Sequence, residues 1–477
     1  MFPRVLQARG ANERLRIGFI GTGGRANTHL AIILRMQRQN RPVEAAAVCD
    51  VYRLHREWAA ERIEKATGFA PQVATDYREL LEKADLDIVC ICTPDHWHAR
   101  QTLDALAAGK HVYCEKPMTH TIPEAFQVLK AWQNSGKVMQ VGVQRTSDPR
   151  WRVANQFLRE GRIGKVVQAQ SEYYRNSRMG QWRYYRLTPE MTPQNIDWKG
   201  FLGSEHALAP DLPFDRALFA QWRCYWAFSH GIFSDLFVHR LSCLLAATGL
   251  RYPQRVVAGG GIFMEYDGRQ VPDTVTLVAD FREGVQFLLT ATMLNAYPFE
   301  HCIRGHLGTL KFDLAADGFD FIPERPQITG SFEIEPQHIE APVPEDETQA
   351  HWENFLEAIA KKAPLYCHNS PELAAAATII SLMGAASYRQ GQVLELDPAA
   401  GTTMPSGPEY AQRWEKLSEE RAEPRHLPGW NPTNKDPQFS RQIPPDYQRL
   451  AGPWADATSD PAASGTKPVE SRAKPAN

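Results

Sequence analysis

"IGFIGTGGRA", residues 17–26, runs from an apolar, β-rich segment through three glycines into a stretch with helical character. Gly21 permits a tight turn there, and Gly23 lets the backbone approach a diphosphate. Ala26 lets the following helix pack close to the sheet. With Gly24 and Arg25, the helix start offers unpaired N–H groups and a partial positive charge to phosphates. An ordinary glycine turn is the competing reading. The strand before the turn, the helix after it and Asp50 at the end of the second apolar run weigh against that alternative.

An acid at position 50 accepts hydrogen bonds from ribose hydroxyls and repels a 2′-phosphate. This favours NAD over NADP, although Arg53 offsets part of the repulsion and leaves NADP open.

The same rhythm continues outward from the turn. "VEAAAVCD", "DIVCICTP", "HVYCE" and "VMQVGVQ" are near-continuous apolar runs, as strands covered on both faces require. Amphipathic segments such as "HARQTLDALAAG" and "PEAFQVLKAWQNSG" separate them and end in glycine. Strands alternating with helices imply right-handed crossovers and a doubly wound parallel sheet. After residue 146 the pattern changes to consecutive strand-like runs with short turns, "DTVTLVADF" and "VQFLLTATML" among them, which predict an antiparallel sheet.

The expected architecture is α/β: a Rossmann domain over 13–145, then an α+β domain over 146–397 with a large, mainly antiparallel sheet. A proline-rich arm (398–455) and a structureless tail (456–477) complete it.

Composition narrows the function classes. A net charge of -2 over 477 residues provides no basic field for nucleic acid or anionic lipid. No run approaches the roughly 20 apolar residues of a membrane span. The N-terminus lacks the apolar core of a signal peptide and a twin-arginine pair; the eight cysteines make no disulfide framework, and Cys49, Cys90, Cys92 and Cys114, in apolar runs, read as reduced core thiols. The expectation is a cytoplasmic protein with no metal: Cys90-x-Cys92 points two thiols to one face, without the spacing of a zinc site.

"CTPDHWHA", "AAGKHVYCEKP" and "VGVQR", in this order and spacing, resemble the Gfo/Idh/MocA family of dinucleotide-dependent sugar and polyol oxidoreductases. The likeness extends through "DWKGFLG", "FSDLFVHRL" and "HWENFLEAI", covering roughly residues 14–397. The resemblance implies a site above the carboxyl ends of the parallel strands, between the domains.

Lys116 then hydrogen-bonds the carbinol oxygen, His239 is the general base, and Asp235 stands behind it on the same helix face. Glu115 is implied at the nicotinamide ribose, and Thr93, Pro94, Asp95, Trp97 and His98 line the nicotinamide. Gln144 and Arg145 face nicotinamide and substrate, and Tyr173 is the expected sugar contact. Pro117 restricts Lys116 to extended geometry. His230 and the family-atypical Ser242 leave the substrate open. By the same resemblance, the outer face of the second sheet forms a homodimer or homotetramer.

Two alternatives stay open. One is an NAD-retaining glycosidase or lyase working through transient sugar oxidation, against which Lys116 counts. The other is a non-catalytic dinucleotide-binding protein, disfavoured because the proton-transfer groups are all present.

Overall fold

The apolar runs of the N-terminal third pair as six parallel strands: β1 (Leu15–Ile20), β2 (Val43–Cys49), β3 (Gln72–Ala74), β4 (Ile88–Ile91), β5 (His111–Glu115) and β6 (Met139–Gly142). Their order, β3-β2-β1-β4-β5-β6, is that of a Rossmann sheet. Helices α1 (Gly24–Arg38), α2 (Arg53–Thr67), α3 (Tyr77–Lys83), α4 (Asp95–Ala107) and α5 (Ile122–Ser135) lie in the crossovers. The computed structural model describes residues 14–83, 85–326 and 334–419.

Local chemistry sets the ends of these elements. Thr121 and Glu124 form a capping box that starts α5, and Gly136 ends it in the left-handed region at φ 65°. Every side chain of β4 is buried, as expected for a central strand with helices on both faces.

The second sheet has eleven strands and is mixed. Ten run in the order β15 (Gln337–Ile339), β14 (Phe319–Pro323), β13 (Gly308–Phe312), β12 (His301–Gly305), β7 (Val166–Asn176), β10 (Gln286–Thr292), β9 (Thr274–Asp280), β8 (Arg255–Gly261), β16 (Leu394–Asp397) and β17 (Thr402–Pro405). The short β11 (Leu294–Asn295) also pairs with β7. One internal pair, β7 with β10, is parallel; the rest are antiparallel. Helix Pro371–Gln390, apolar on nearly every side, packs against α5, β8 and helix Val238–Thr248 and so ties the two sheets together.

Helix Glu347–Lys361 comes late in the chain yet belongs to the core of the first sheet. Asp346 caps it, and Trp352 stacks on Tyr113 of β5 with centroids 4.4 Å apart and planes 9° apart. Phe19, Ile17 and Phe355 complete that cluster. In the C-terminal arm, Thr402–Pro405 forms the edge strand β17 and Glu409–Glu419 is helical. The tail, 456–477, lies outside the described residues. Among the described residues no helix is long and apolar enough to cross a membrane.

Trp352→Ala removes a fully buried ring and is expected to cost about 3–5 kcal/mol in denaturant unfolding. Trp352→Phe keeps much of the packing and is expected to cost clearly less. Equal losses in the two variants would contradict the packing role.

Candidate active site

A cavity of about 990 Å³ opens between the carboxyl ends of the parallel strands and the second sheet. One end of its lining is Gly21, Gly23 and Gly24; the other is Lys116, Tyr173, Asp235 and His239. Such a crevice is where physics places a ligand on an open parallel sheet.

At the glycine end, Gly21 has φ +78°, and a Cβ on it would stand 2.8 Å from the Thr93 nitrogen. The fold itself therefore demands glycine there. Gly23 differs: a Cβ would meet only the His55 ring, at 3.6 Å, and at Gly24 nothing at all. The protein leaves room over these two positions, and a diphosphate fits that space against the N-terminus of α1.

Asp50 is buried. It accepts from the Thr22 and Tyr52 backbone N–H groups at 2.7 Å each, with His55 3.5 Å away. Burial alone would raise its pKa; His55 and the two N–H groups outweigh burial and lower it. His55 was not singled out from the sequence. Arg53, expected to soften the charge near Asp50, instead reaches outward to Glu57 and Asn195.

Glu115 ends β5 and is the anchor of a buried network. Its Oε1 accepts from Arg25 Nε at 2.7 Å, His29 Nε2 at 2.8 Å and Gln144 Nε2 at 3.1 Å. Arg25, expected at the phosphates, is thus bound across the cleft, although one of its terminal nitrogens has no protein partner. Trp352 Nε1 donates to His29 Nδ1 at 2.9 Å, so the proton of a neutral ring sits on Nε2 and points at Glu115. Burial would raise the Glu115 pKa, but Arg25 and His29 together hold it well below the carboxylate range.

His29, Cys90 and Cys92 place three metal-ligand atoms within 4.8 Å of one another. Both His29 nitrogens are already engaged by Trp352 and Glu115, which leaves that trio without a free imidazole ligand.

At the other end, Lys116 Nζ donates to both Oδ1 and the backbone carbonyl of Asp235, the latter at 2.9 Å. The Lys116–Pro117 peptide bond is cis. Asp235 also accepts from Arg223 Nε and Trp182 Nε1, each at 3.0 Å. Its carboxylate is not bonded to His239, contrary to the reading of an i, i+4 pair. The physical reason is local: residues Ile232–Phe237 form a π-helical turn before helix Val238–Thr248, and the widened turn aims Asp235 at Lys116. Trp182 holds a left-handed backbone, φ 65°, unusual for an aromatic residue. Arg223 carried no signal in the sequence, and Trp182 stood out only as part of the aromatic-basic stretch 171–186.

His239 lies beside Tyr173, ring centroids 6.1 Å apart. Burial, then the Lys116 charge, pushes its pKa down to about 3. Ser242, one turn later, is fully buried and does not reach the cavity. His230 packs on His120, centroids 4.5 Å apart.

Thr93, Pro94, Asp95 and Trp97 line the wall. Thr93 Oγ1 donates to Gln101 at 2.7 Å, and Trp97 is a packing residue whose indole N–H goes to the Phe201 carbonyl at 3.0 Å. Two expected contacts are absent from the cavity wall. Arg145 turns to Glu347, 3.3 Å away. His98 is buried beneath the wall, with Nδ1 2.6 Å from the Pro117 carbonyl and Nε2 2.8 Å from the Thr93 carbonyl. Two carbonyl acceptors require two N–H donors, so the ring is an imidazolium. Burial opposes that charge; Cys114, Asp95 and the Pro117 carbonyl outweigh it, pushing the pKa up to about 9. Asp95 itself accepts from Ser229 at 2.8 Å and Ser234 at 3.1 Å, joining α4 to the π turn.

Measurements on Gly23 and on His98 probe this geometry. Gly23→Val is expected to leave the thermal melt near that of the parent and weaken NADH binding by more than tenfold in a fluorescence titration. Loss of fold would show that the protein itself needs this glycine. The His98 pKa of about 9 exceeds the 6.5 of a free ring, so its stabilisation is complete below pH 6.5 and lost as pH rises through 9. Unfolding free energies between pH 6 and 10 should fall in the parent and stay flatter in His98→Gln. Nitrogen NMR at pH 7 should show both His98 ring nitrogens protonated; a neutral tautomer would overturn the assignment.

Residues 15–143 match the oxidoreductase family with the NAD-binding Rossmann fold, and residues 200–311 match the GFO/IDH/MocA C-terminal domain. Among curated proteins, an alpha-N-acetylgalactosaminidase of Shewanella oneidensis is 30% identical over 211 residues. That match covers 42% of this chain and 43% of the relative, so the likeness spans less than half of either. The WlbA dehydrogenase of Bordetella pertussis, solved with NADH and UDP-GlcNAcA, superposes with a TM-score of 0.58 at 19% identity, covering 80% of this chain and 99% of that one. Levoglucosan dehydrogenase, solved with NADH and levoglucosan, gives 0.56 at 19% identity, covering 80% and 99%. These structural likenesses speak to the fold. Together with the domain matches, they show that the chain belongs to the Gfo/Idh/MocA oxidoreductase family and carries its NAD-binding Rossmann domain.

Proposed function

We propose that this protein is an NAD-dependent oxidoreductase acting on a secondary alcohol of a sugar or polyol. The observation that carries the reading is the Lys116–Asp235 pair, set beside His239 on one cavity wall. An ammonium has three N–H donors. Two of them are taken by Asp235, and the third is left for a substrate oxygen. As charge develops on that oxygen, the positioned ammonium stabilises it.

His239, with a pKa of about 3, is neutral throughout the working range and so in the form that accepts the alcohol proton. Asp235 acts on Lys116, fixing where its charge lies. Gly21, Gly23 and Gly24 would hold the cofactor diphosphate, Asp50 with His55 the adenosine ribose, and Thr93, Pro94, Glu115 and Gln144 the nicotinamide end. When bound, NAD supplies the hydride acceptor.

Tyr173 and the nearby Tyr184, Tyr185 and Trp222 suit the apolar face of a sugar ring. The names of the similar proteins, a dehydrogenase crystallised with levoglucosan and an N-acetylgalactosaminidase, support a carbohydrate substrate. The second of these also supports the alternative reading, in which NAD stays bound and transient sugar oxidation ends in glycoside cleavage. Val167, Val257 and Ile322 stay exposed, each next to a buried strand residue (Val166, Val256 and Phe321), which supports assembly through the outer sheet face into a homodimer or homotetramer.

Lys116→Ala is expected to cut turnover by about 10²–10³-fold while NAD binding is retained. Because kcat/KM reports the free enzyme and His239 titrates near 3, the profile should show no acid limb from this ring between pH 5 and 8. Unchanged turnover in the lysine variant removes the mechanism. Aglycone release from glycosides with no added NAD and no net NADH selects the alternative.

A further inference from the structure

We infer that the substrate carries an anionic substituent, a carboxylate or a phosphate, and that Arg175 receives it. This rests on the sugar reading above and adds the chemical class of the substrate.

The argument is an inventory of charge at the substrate end of the cavity. Lys116 and Arg223 share one carboxylate, that of Asp235. Next to them, the ring of Tyr173 lies between two further cations. The Arg175 guanidinium is 4.7 Å from the ring centroid on one approach, and the Arg240 guanidinium is 4.7 Å from it on another.

Neither arginine meets a carboxylate within ion-pair distance among the described residues. Arg175 donates to the Tyr173 hydroxyl at 2.8 Å, and Arg240 donates to the Glu172 backbone carbonyl at 2.8 Å. The Glu172 carboxylate is turned elsewhere, towards the Tyr174 backbone N–H and the His301 ring, 3.2 Å away. Arg240 still feels the Glu172 charge, and Lys116 and Arg223 feel Asp95 as well as Asp235. Arg175 is the cation beside the proton-transfer groups left, among the described residues, without a carboxylate partner.

Partly buried cations without counter-ions are costly, and a neutral sugar leaves the imbalance in place. An anionic substituent offsets it. The other charged groups of the cavity do not supply the missing anion. Glu115 is matched by Arg25, Asp95 accepts from Ser229 and Ser234 and faces the charges of His98, Lys116 and Arg223, and Asp50 is held by Thr22, Tyr52 and His55.

Of these two arginines only Arg175 lines the cavity; Arg240 stands behind the Tyr173 ring, and Arg186, which also lines the cavity without a carboxylate partner among the described residues, is exposed to solvent. The cofactor's own phosphates belong with Gly21–Gly24 at the far end. The remaining wall near Arg175 is aromatic. Arg223 stacks over Trp222 at 4.0 Å and over Tyr185 at 5.4 Å. A sugar ring against these rings with its charged arm on Arg175 satisfies both features.

The test uses the full chain with NAD and matched sugar sets: glucose, glucuronate and glucose 6-phosphate, and the corresponding galactose and mannose series. Reduced nicotinamide is followed for the parent, Arg175→Met and Arg175→Lys. The inference expects one anionic arm to exceed its neutral partner at least tenfold in kcat/KM. The arm that does so identifies carboxylate or phosphate. Arg175→Met should erase most of that advantage through a raised KM, and Arg175→Lys should restore part of it. If Arg175→Met melts well below the parent, the lysine variant and loss of the advantage in 0.5 M salt (about 4 Å Debye length) decide instead. A best substrate that is neutral, or an anionic advantage that survives Arg175→Met, overturns the subsite while the sugar reading stands. If no sugar in any series is oxidised, the sugar reading falls and this inference falls with it.

Discussion

The contact on which the site depends is the ion pair between Lys116, at the end of the fifth parallel strand, and Asp235, in the π-helical turn of the second domain. It joins residues 119 positions apart. Both side chains are about a tenth exposed. Taking two charges out of water costs several kcal/mol per ion unless further hydrogen bonds complete the set. Here they do: Arg223 and Trp182 occupy the remaining acceptor directions of Asp235. The pair is therefore better understood as a device of position than of stability. It fixes the distance between the strand end and the helix that carries His239.

Holding that pair in register requires that neither partner's element drift, and the surrounding network serves this end. The His98 imidazolium bonds the carbonyls of Thr93 and Pro117, so the ends of the fourth and fifth strands move together. Asp95, on the same helix, takes hydroxyl donors from Ser229 and Ser234 at the start of the π turn. Glu115 is held by Arg25, His29 and Gln144, and His29 is in turn fixed by Trp352 from a helix more than three hundred residues further along. The late helix thus orients a side chain in the cofactor half, which links the packing of Trp352 on Tyr113 to the chemistry.

What was legible in the sequence follows from the range of the interactions involved. The glycine turn and the strand–helix alternation are set by neighbours in sequence and could be read directly; the strand order came only with the resemblance. Lys116, Asp235 and His239 were legible as a set through the resemblance, but not their pairing. A helical reading with regular spacing sets Asp235 over His239, and nothing local announces the π turn that redirects it. Arg145 and His98 are not on the cavity wall, because their partners, Glu347 and the Pro117 carbonyl, become neighbours only in three dimensions, and the Arg25–Glu115 bond was hidden for the same reason. Trp182, Arg223 and His29 were missed for the same reason: a single arginine, tryptophan or histidine in an aromatic or apolar stretch has no signature of its own.

The depressed proton affinity of His239 connects the cations around it to the proposed reaction. A ring with a pKa near 3 is neutral and ready to accept a proton, but holds the proton weakly once it has it. Brønsted behaviour favours a base whose pKa lies nearer the working pH. After burial, the largest cause of the depression is the Lys116 charge, and the Arg240 charge acts in the same sense. An anion seated on Arg175 opposes them, and so does negative charge developing on a substrate oxygen beside Lys116. Both strengthen His239 as a base only when a substrate of the right charge is in place. On this reading the cations around His239 are a condition on the reaction: the site is poor at taking a proton while empty and becomes competent through the charge its substrate brings.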